Sequence, residues 1–336
     1  MPRVKPTLKP LSDLEPEDYA DCFALLADRI HQETRAGKPF ILCRFRDARR
    51  SVGVTVWSDS PFFDDCTQHW QVGKCYKLRG RFLKHERYGE QIELEQIRAA
   101  TEADRRDGFD PATLVEKSGY DPEETFAALR GLAAAAIGDE PLRRLVLLLL
   151  DRHGANLRWL PGSLKHYYPF AGGWLEHTLS VAHKCLVLAD LFHAQYPELR
   201  PPLNRDLVVA GAILHDIGRA AEVADPLTWQ PSVPGKLFGH VQLGRDLVRE
   251  AARDVPELNS ELLQLLEHLV LTHLSLPEWG SPRLPCVPEC LILHHVDDLD
   301  AKLEMYVRCL TRDTAPGPFT DRDPVLNKSL LKQREV

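Results

Sequence analysis

Four residues spread along the chain, His177, the adjacent pair His215 and Asp216, and Asp297, have the donor types of a transition-metal site. Two imidazoles and two carboxylates form a mixed nitrogen and oxygen set that suits Mn, Fe, Co or Ni better than Mg. Four protein donors on an octahedral ion leave two positions, enough for a water of lowered pKa and one phosphate oxygen, which is the minimum for metal-assisted hydrolysis. A single histidine on an amphipathic helix is ordinarily a packed residue. The place of His215 and Asp216 argues for more, because they end the apolar run Val208, Val209, Ala210, Gly211, Ala212, Ile213, Leu214. An aspartate beside such a run is costly to bury without a cation or hydrogen-bond donors. Other candidates carry less: one of His294 and His295 is expected to pack on the core, and His153, His183, His193 and His268 read as surface or supporting groups. Cys286 and Cys290 lack the second pair that a zinc site needs.

The elements that must position these residues are helical. Segments 122–137, 140–152, 173–196, 205–221, 240–253, 261–274 and 288–311 carry apolar residues near the 3.6 period, divided by Gly and Pro clusters. They predict an all-α domain over residues 122–311, followed by a polar, proline-bearing strap over 312–336. Upstream, segments 40–45, 52–57, 75–83 and 91–97 show partial period-2 alternation between turn signals, including one at 87–90 around Gly89. Residues 61–70 have room for a short helix. Four or five strands with one interposed helix suit a small β-barrel of the OB type within residues 1–100, preceded by an N-terminal extension. Residues 101–121 are polar and aperiodic and are expected to form a linker. The expected fold class is therefore two-domain, an OB barrel followed by an all-α domain.

The 336 residues, 44 % hydrophobic and 27 % charged, fit an ordinary globular chain and exclude disorder and collagen-like fibres. The longest run of Leu, Ile and Val is six residues, at 145–150, so no membrane span or export signal is expected. Eight cysteines without a C-x-x-C pair read as reduced thiols of a cytoplasmic protein. Eleven of the fourteen histidines follow residue 151. Charge runs the other way: residues 1–100 hold 17 Lys and Arg against 15 Asp and Glu, leaving 25 against 34 beyond them. In 75–83, Lys77, Arg79 and Arg81 alternate with Tyr76, Leu78 and Phe82, Arg44 and Arg46 alternate likewise, and Trp57 ends a neighbouring run. A cationic stripe beside an aromatic platform is how OB folds hold single strands. The competing reading is a solvated face on which Glu93 and Glu95 pair with Arg81.

The set His177, His215, Asp216 and Asp297 resembles the H…HD…D signature of HD-domain metal-dependent phosphohydrolases. More narrowly, the chain resembles the YhaM family of 3′ to 5′ exoribonucleases, which join an OB fold to an HD domain. The likeness rests on His166, residues 172–181, 215–219, 235–240, 278–282, 299–302 and 317–320, in particular Glu-Trp-Gly-Ser-Pro and Asp-Ala-Lys. It implies that Asp216 also serves a second ion together with His240 and His273. The chain departs from the family in having Leu274 where a further histidine is usual and Arg219 in place of a lysine. Arg219 keeps a fixed charge suited to phosphate, so Asp216 and Arg219 are read as the catalytic residues, with Lys302 as a second phosphate contact. The implied activity is hydrolysis of single-stranded RNA, and of single-stranded DNA as a further substrate, to nucleoside 5′-monophosphates. One or two divalent ions per chain serve it, Mn ahead of Fe, Co or Ni, with Arg44, Arg46, Trp57, Lys77, Arg79 and Arg81 on the strand. The alternatives are an HD phosphohydrolase acting on a small nucleotide and a nucleic-acid-binding protein with a structural HD site. Homo-oligomerisation stays open.

Overall fold

A two-residue strand β1 (Thr7–Leu8) and a fifteen-residue strand β2 (Tyr19–Glu33) open the computed structural model. It describes residues 6–34, 36–85, 89–164, 166–225 and 229–332, and the chain divides into two units, 1–117 and 118–336. In the first unit, β3 (Pro39–Arg46), β4 (Ser51–Trp57), helix α1 (Phe63–Gln68), β5 (Cys75–His85) and β6 (Gly89–Ala99) follow. The first half of β2 runs antiparallel to β5 and its second half antiparallel to β3, with a bulge between Leu26 and Asp28 at the bend. The sheet curls round until β4 meets β6 through one parallel pair, Gly53 and Gln91. That thin join makes it a curled sheet and not the clean barrel that was expected. The core inside includes Leu26, Phe45, Trp70, Leu78 and Phe82. Part of the turn expected at 87–90 lies outside the described residues.

Strand β2 is the element that alternation does not reveal. Ala20, Cys22, Ala24 and Leu26 point into the core, while Phe23 and Leu25 on the other face pack on Phe109 and Leu114. With both faces covered, period 2 disappears from the sequence. The same packing corrects the expected linker: its residues 101–117 belong to the first unit. A 3-10 turn over Glu102–Asp107 starts with a capping box between Thr101 and Asp104, and the Arg98 guanidinium donates to Asp104 at 2.8 Å.

The second unit is helical: α2 (Pro122–Ala136), α3 (Glu140–Leu157), α4 (Gly173–Gln195), α5 (Arg205–Leu214) and α6 (Arg219–Glu222) lead to a small hairpin, β7 (Val223–Asp225) and β8 (Gln230–Pro231). Helices α7 (Val233–Ala251), α8 (Ser260–Thr272) and α9 (Pro288–Arg312) complete it. Side-chain caps start most of them: Asp121, Asp139, Asn204, Ser232 and Asn259 each accept backbone N–H groups of the first turn. Helix α5 is central, with every residue from Leu207 to Leu214 buried. The single helix expected over 205–221 breaks after Leu214, where i to i+3 bonds such as Ile217 N–H to the Leu214 carbonyl, 3.1 Å, tighten residues 215–218 into a turn. Gly218 is required there, because a β-carbon would lie 1.9 Å from the His240 carbonyl oxygen of α7. Helix α7 starts earlier than expected and is interrupted at Gly239, whose φ of 71° places the next residue on a new course. After α9 the tail turns back on itself through bridges between Phe319 and Leu331 and between Asp323 and Lys328, so it is folded and not a plain strap. Among the described residues no helix is long and apolar enough to cross a membrane.

The Arg98 guanidinium holds the Asp104 carboxyl well below the usual carboxylate range, against burial and with help from the Thr101 N–H. A depressed carboxyl stabilises the fold above its unfolded-state pKa and loses that contribution as pH falls through the folded value. Asp104→Asn should therefore destabilise the first unit by about 1 kcal/mol at pH 7, the size of a lost helix cap, since the half-exposed guanidinium adds little. Urea unfolding should show the gap between variant and parent narrowing below about pH 4; a gap that widens in acid would contradict this account.

Candidate metal centre

Five elements converge on one point. His177 comes from the first turns of α4, His215 caps the C-terminus of α5, Asp216 follows it in the turn, His273 caps α8, and His240 resumes α7 beyond the Gly239 break. Asp297 projects from α9. Five of the six are buried, His177, His215 and Asp216 completely, and His240 keeps a small exposed edge.

The imidazoles are aimed by what their inner nitrogens touch. His215 Nδ1 donates to the Ala212 carbonyl and His273 Nδ1 to the Val270 carbonyl, each at 2.8 Å. His177 Nδ1 donates to Asp300 at 2.9 Å, and His240 Nδ1 faces Glu222 at 3.5 Å. With Nδ1 so engaged, each Nε2 lone pair points into the cluster. His177 Nε2 lies 3.3 Å from His215 Nε2 and 3.0 Å from Asp297 Oδ1. His215 Nε2 lies 3.8 Å from Asp297 Oδ1 and 3.9 Å from Asp216 Oδ2. On the other side of Asp216, Oδ1 lies 3.1 Å from His240 Nε2 and 3.7 Å from His273 Nε2. Neighbouring donors of an octahedral ion with bonds of about 2.1 Å sit about 3 Å apart, so these spacings suit metal ligands.

A further observation tests the fit. Asp216 Oδ1, His240 Nε2 and His273 Nε2 are buried without a hydrogen-bond partner among the described residues. Three orphaned acceptor positions facing one another would be costly as they stand, and a divalent cation satisfies all of them. Two groups of donors within 4.8 Å of one another result, His177, His215 and Asp216, and Asp216, His240 and His273, with Asp216 common to both.

Electrostatics keep Asp216, Asp297 and His273 in the ligating state. Burial alone would raise the Asp216 carboxyl, but Arg219 and His240 outweigh it and hold the group well below the ordinary range. Asp297 is likewise lowered against its burial, chiefly by His177. Burial, with His215 beside it, pushes His273 down to about 4, leaving a neutral ligand. Burial acts the same way on His177, but the Asp297 and Asp300 carboxylates reverse it and raise the group to about 9, so a cation binding at Nε2 has to displace a proton there.

Arg219 sits where a phosphate contact was expected, yet three of its N–H groups are engaged, with Asp216 at 3.3 Å, Glu222 at 2.8 Å and the Tyr167 hydroxyl at 3.4 Å. Two of the five guanidinium donors remain for a ligand. Lys302 lies outside the cluster, bonded to Asp298 at 2.7 Å, but lines the same cavity of about 740 Å³ as Arg219, His240 and Asp297. His294 does not ligate; it donates from Nδ1 to the His273 carbonyl at 2.7 Å. Glu176 is not among the cluster either.

In the first unit Lys77, Arg79 and Arg81 do alternate outward, but none is a bare cation. Arg79 holds Asp21 through two bonds of 2.6 and 2.9 Å, Lys77 lies 3.5 Å from Asp107 and Arg81 3.2 Å from Glu17. The partners come from β2, the turn before it and the folded linker, and not from Glu93 and Glu95. Burial lowers the Arg46 guanidinium, with Glu116 opposing. Arg44 is exposed, and Trp57 is exposed against Phe40, with centroids 5.1 Å apart.

Sequence reasoning missed Tyr167, Glu222 and Asp300. Asp300 had a signal, since it follows Asp297 by three residues on one helical face. Its carboxylate is buried and also accepts from Ser180 at 2.6 Å and from Lys184. Tyr167 donates to Asp216 at 3.3 Å and had no signal.

Because four protein donors face the first ion and three the second, calorimetric Mn²⁺ titration should show one tight and one weaker event. His273→Ala should remove only the weaker event, and His177→Ala the tight one; the reverse pattern would mean that the two donor groups are wrongly ranked. Asp300→Asn should weaken the tight event by about 10- to 100-fold, the usual effect of releasing a ligand histidine from its carboxylate. Unchanged affinity there would remove Asp300 from the site.

Among solved structures, the chain is similar to a small single-stranded DNA-binding protein from Streptomyces coelicolor at 18 % identity, over 26 % of this chain and 96 % of that one, with a TM-score of 0.21. It is also similar to the asparaginyl-tRNA synthetase of Entamoeba histolytica at 8 % identity, over 46 % of this chain and 35 % of that one, with a TM-score of 0.24. Scores this low do not establish a fold. The family model of the HD domain matches residues 174–302, the stretch that supplies every donor described above, so the chain carries an HD domain there.

Proposed function

We propose that the protein is a metal-dependent 3′ to 5′ exonuclease on single-stranded RNA, acting also on single-stranded DNA and releasing nucleoside 5′-monophosphates. The HD domain implies a metal-dependent phosphohydrolase. What carries the reading to this chain is the set of orphaned donors of Asp216, His240 and His273, beside a cavity of about 740 Å³ lined in part by His240, Asp297 and Arg219. The direction of attack and the preference for RNA rest on the resemblance to the YhaM family.

When bound, divalent ions lower the pKa of a coordinated water and neutralise phosphoryl oxygens. His177, His215, Asp216 and Asp297 would hold one ion, and Asp216, His240 and His273 a second. The mixed donor set favours Mn, Fe, Co or Ni. Arg219 fixes Asp216 through its Nε and keeps two donors for a phosphate oxygen, while Glu222 and Asp300 hold His240 and His177 in register. Burial of the cluster excludes bulk water and strengthens each of these interactions.

For the strand, the order of five strands with α1 before β5 supports the OB reading of the first unit. Its best contact surface is the outer face of β3 and β4. Trp57 and Phe40 offer a stacking surface, Lys38 lies 5.9 Å from the Trp57 ring with Asp59 as its ion partner at 2.8 Å, and Arg44 is exposed further along β3. The stripe of Lys77, Arg79 and Arg81 is the weaker candidate, because all three cations have acidic partners and the aromatics of their strand, Tyr76 and Phe82, are buried in the core.

The full-length protein with Mn²⁺ should shorten a 5′-end-labelled single strand stepwise from its 3′ end, and Asp216→Ala should reduce that rate by more than about a thousandfold. Wild-type turnover by the variant would overturn the site. Hydrolysis of free nucleotides with intact strands left untouched would favour a small-nucleotide phosphohydrolase, a reading that the size of the cavity also admits.

A further inference from the structure

We infer that Trp279 is the stacking platform for the base of the nucleotide whose phosphate lies at the metal centre. The inference rests on the reading of that centre as a phosphohydrolase site and adds the recognition of its substrate.

One wall of the cavity carries the chemistry: Tyr167, Arg219, His240 and Asp297. The opposite chemical character comes from Leu164, Leu274, Trp279, Ala301 and Met305, which line the same space. Its volume of about 740 Å³ lies in the range of ligand pockets, about 300 to 1,000 Å³. Phosphate-directed donors joined to an apolar, aromatic surface in one cavity are complementary to a molecule with an anionic end and a flat π face, which is the chemistry of a nucleotide.

Trp279 is placed for this by its neighbours. It ends a 3-10 turn, Pro277–Trp279, and Gly280 follows with φ of 105°, so the chain reverses directly behind it. The residue is 48 % exposed and lines the cavity, so a flat ligand has room to lie against its indole. The Lys302 ammonium stands 5.6 Å from the ring centroid, held by Asp298. That cation sits in reach both of the ring and of an anionic ligand. The His294 ring lies 6.2 Å from Trp279 and is fixed by its bond to the backbone carbonyl of His273. One side chain, His294, thus lies between the platform and the backbone of a metal-donor residue. Stacking on an indole tolerates any base, because every base presents a π face.

Calorimetric titration of the full-length protein in Mn²⁺ with adenosine 5′-monophosphate and with ribose 5-phosphate, which lacks the base, tests the platform without requiring turnover. The wild type should bind adenosine 5′-monophosphate more tightly than ribose 5-phosphate. Trp279→Ala should weaken the nucleotide roughly 5- to 150-fold and leave ribose 5-phosphate within about twofold, which also serves as the check that the variant is folded. Trp279→Phe should recover most of the loss, and the other three 5′-monophosphates should bind within about tenfold of adenosine 5′-monophosphate. Equal wild-type affinities for the two ligands, or a Trp279→Ala variant that weakens both alike, would overturn the inference. Hydrolysis of single strands by the wild type, measured separately, reports on the proposed activity alone, so base-dependent binding without hydrolysis would retire that activity and leave the platform standing.

Discussion

The burial of one ionised carboxylate governs the second unit. Asp216 is completely enclosed at the end of the central helix α5, where an isolated carboxylate would be untenable. Partners must surround it, and the fold supplies them from four directions: the Arg219 guanidinium three residues on, and the imidazoles of His240 from α7, His273 from α8 and His215 beside it. The coordination also explains the local backbone. A continuing α-helix would carry Asp216 away along α5, whereas the break after Leu214 brings its two oxygens to opposite sides, one facing His215 and the other His240 and His273.

The break in turn constrains the packing of the neighbouring helix. Gly218 lets the α7 backbone approach until the His240 carbonyl fills the space of a β-carbon. That contact and the left-handed Gly239 together decide where His240 enters the cluster. Glu222 then accepts from both ends of that histidine, its backbone N–H at 3.2 Å and its Nδ1 face at 3.5 Å. Two glycines and one glutamate, none of them a metal donor, thus make a donor out of a residue on a helix that would otherwise pass by.

The donors were legible because they combine residue type with an improbable setting. A His-Asp pair closing seven apolar residues can be read without coordinates, and caps such as Asp121 and Asn204 mark helices whose apolar period is clear. The supporting residues were less legible because their role depends on partners distant in sequence: Asp300 reaches His177 across 123 positions, and Tyr167 reaches Asp216 across 49. In the first unit the obstacle was different. Strand β2 is covered on both faces, so the pattern that betrays a strand is absent from it, and with it went Asp21 on the strand and Glu17 in the turn before it. The pairing expected for Arg81 with Glu93 and Glu95 missed the partners that the structure supplies, because none of them lies on the neighbouring strand that alternation revealed.

Charge ties these points to function. The second part of the chain is acidic, 25 Lys and Arg against 34 Asp and Glu beyond residue 100, which by itself would repel a phosphate. Within the cluster the same sign prevails: Asp216, Asp297, Asp300 and Glu222 outnumber Arg219 and Lys184. Such an excess of buried anions makes divalent ions bind, and each ion adds two positive charges at the place where a phosphate must sit. Attraction of a phosphate to the second unit is therefore a property that unit acquires with its metal. In that arrangement Arg219 need not neutralise the phosphate alone, and it can spend three of its donors on holding the shared carboxylate still.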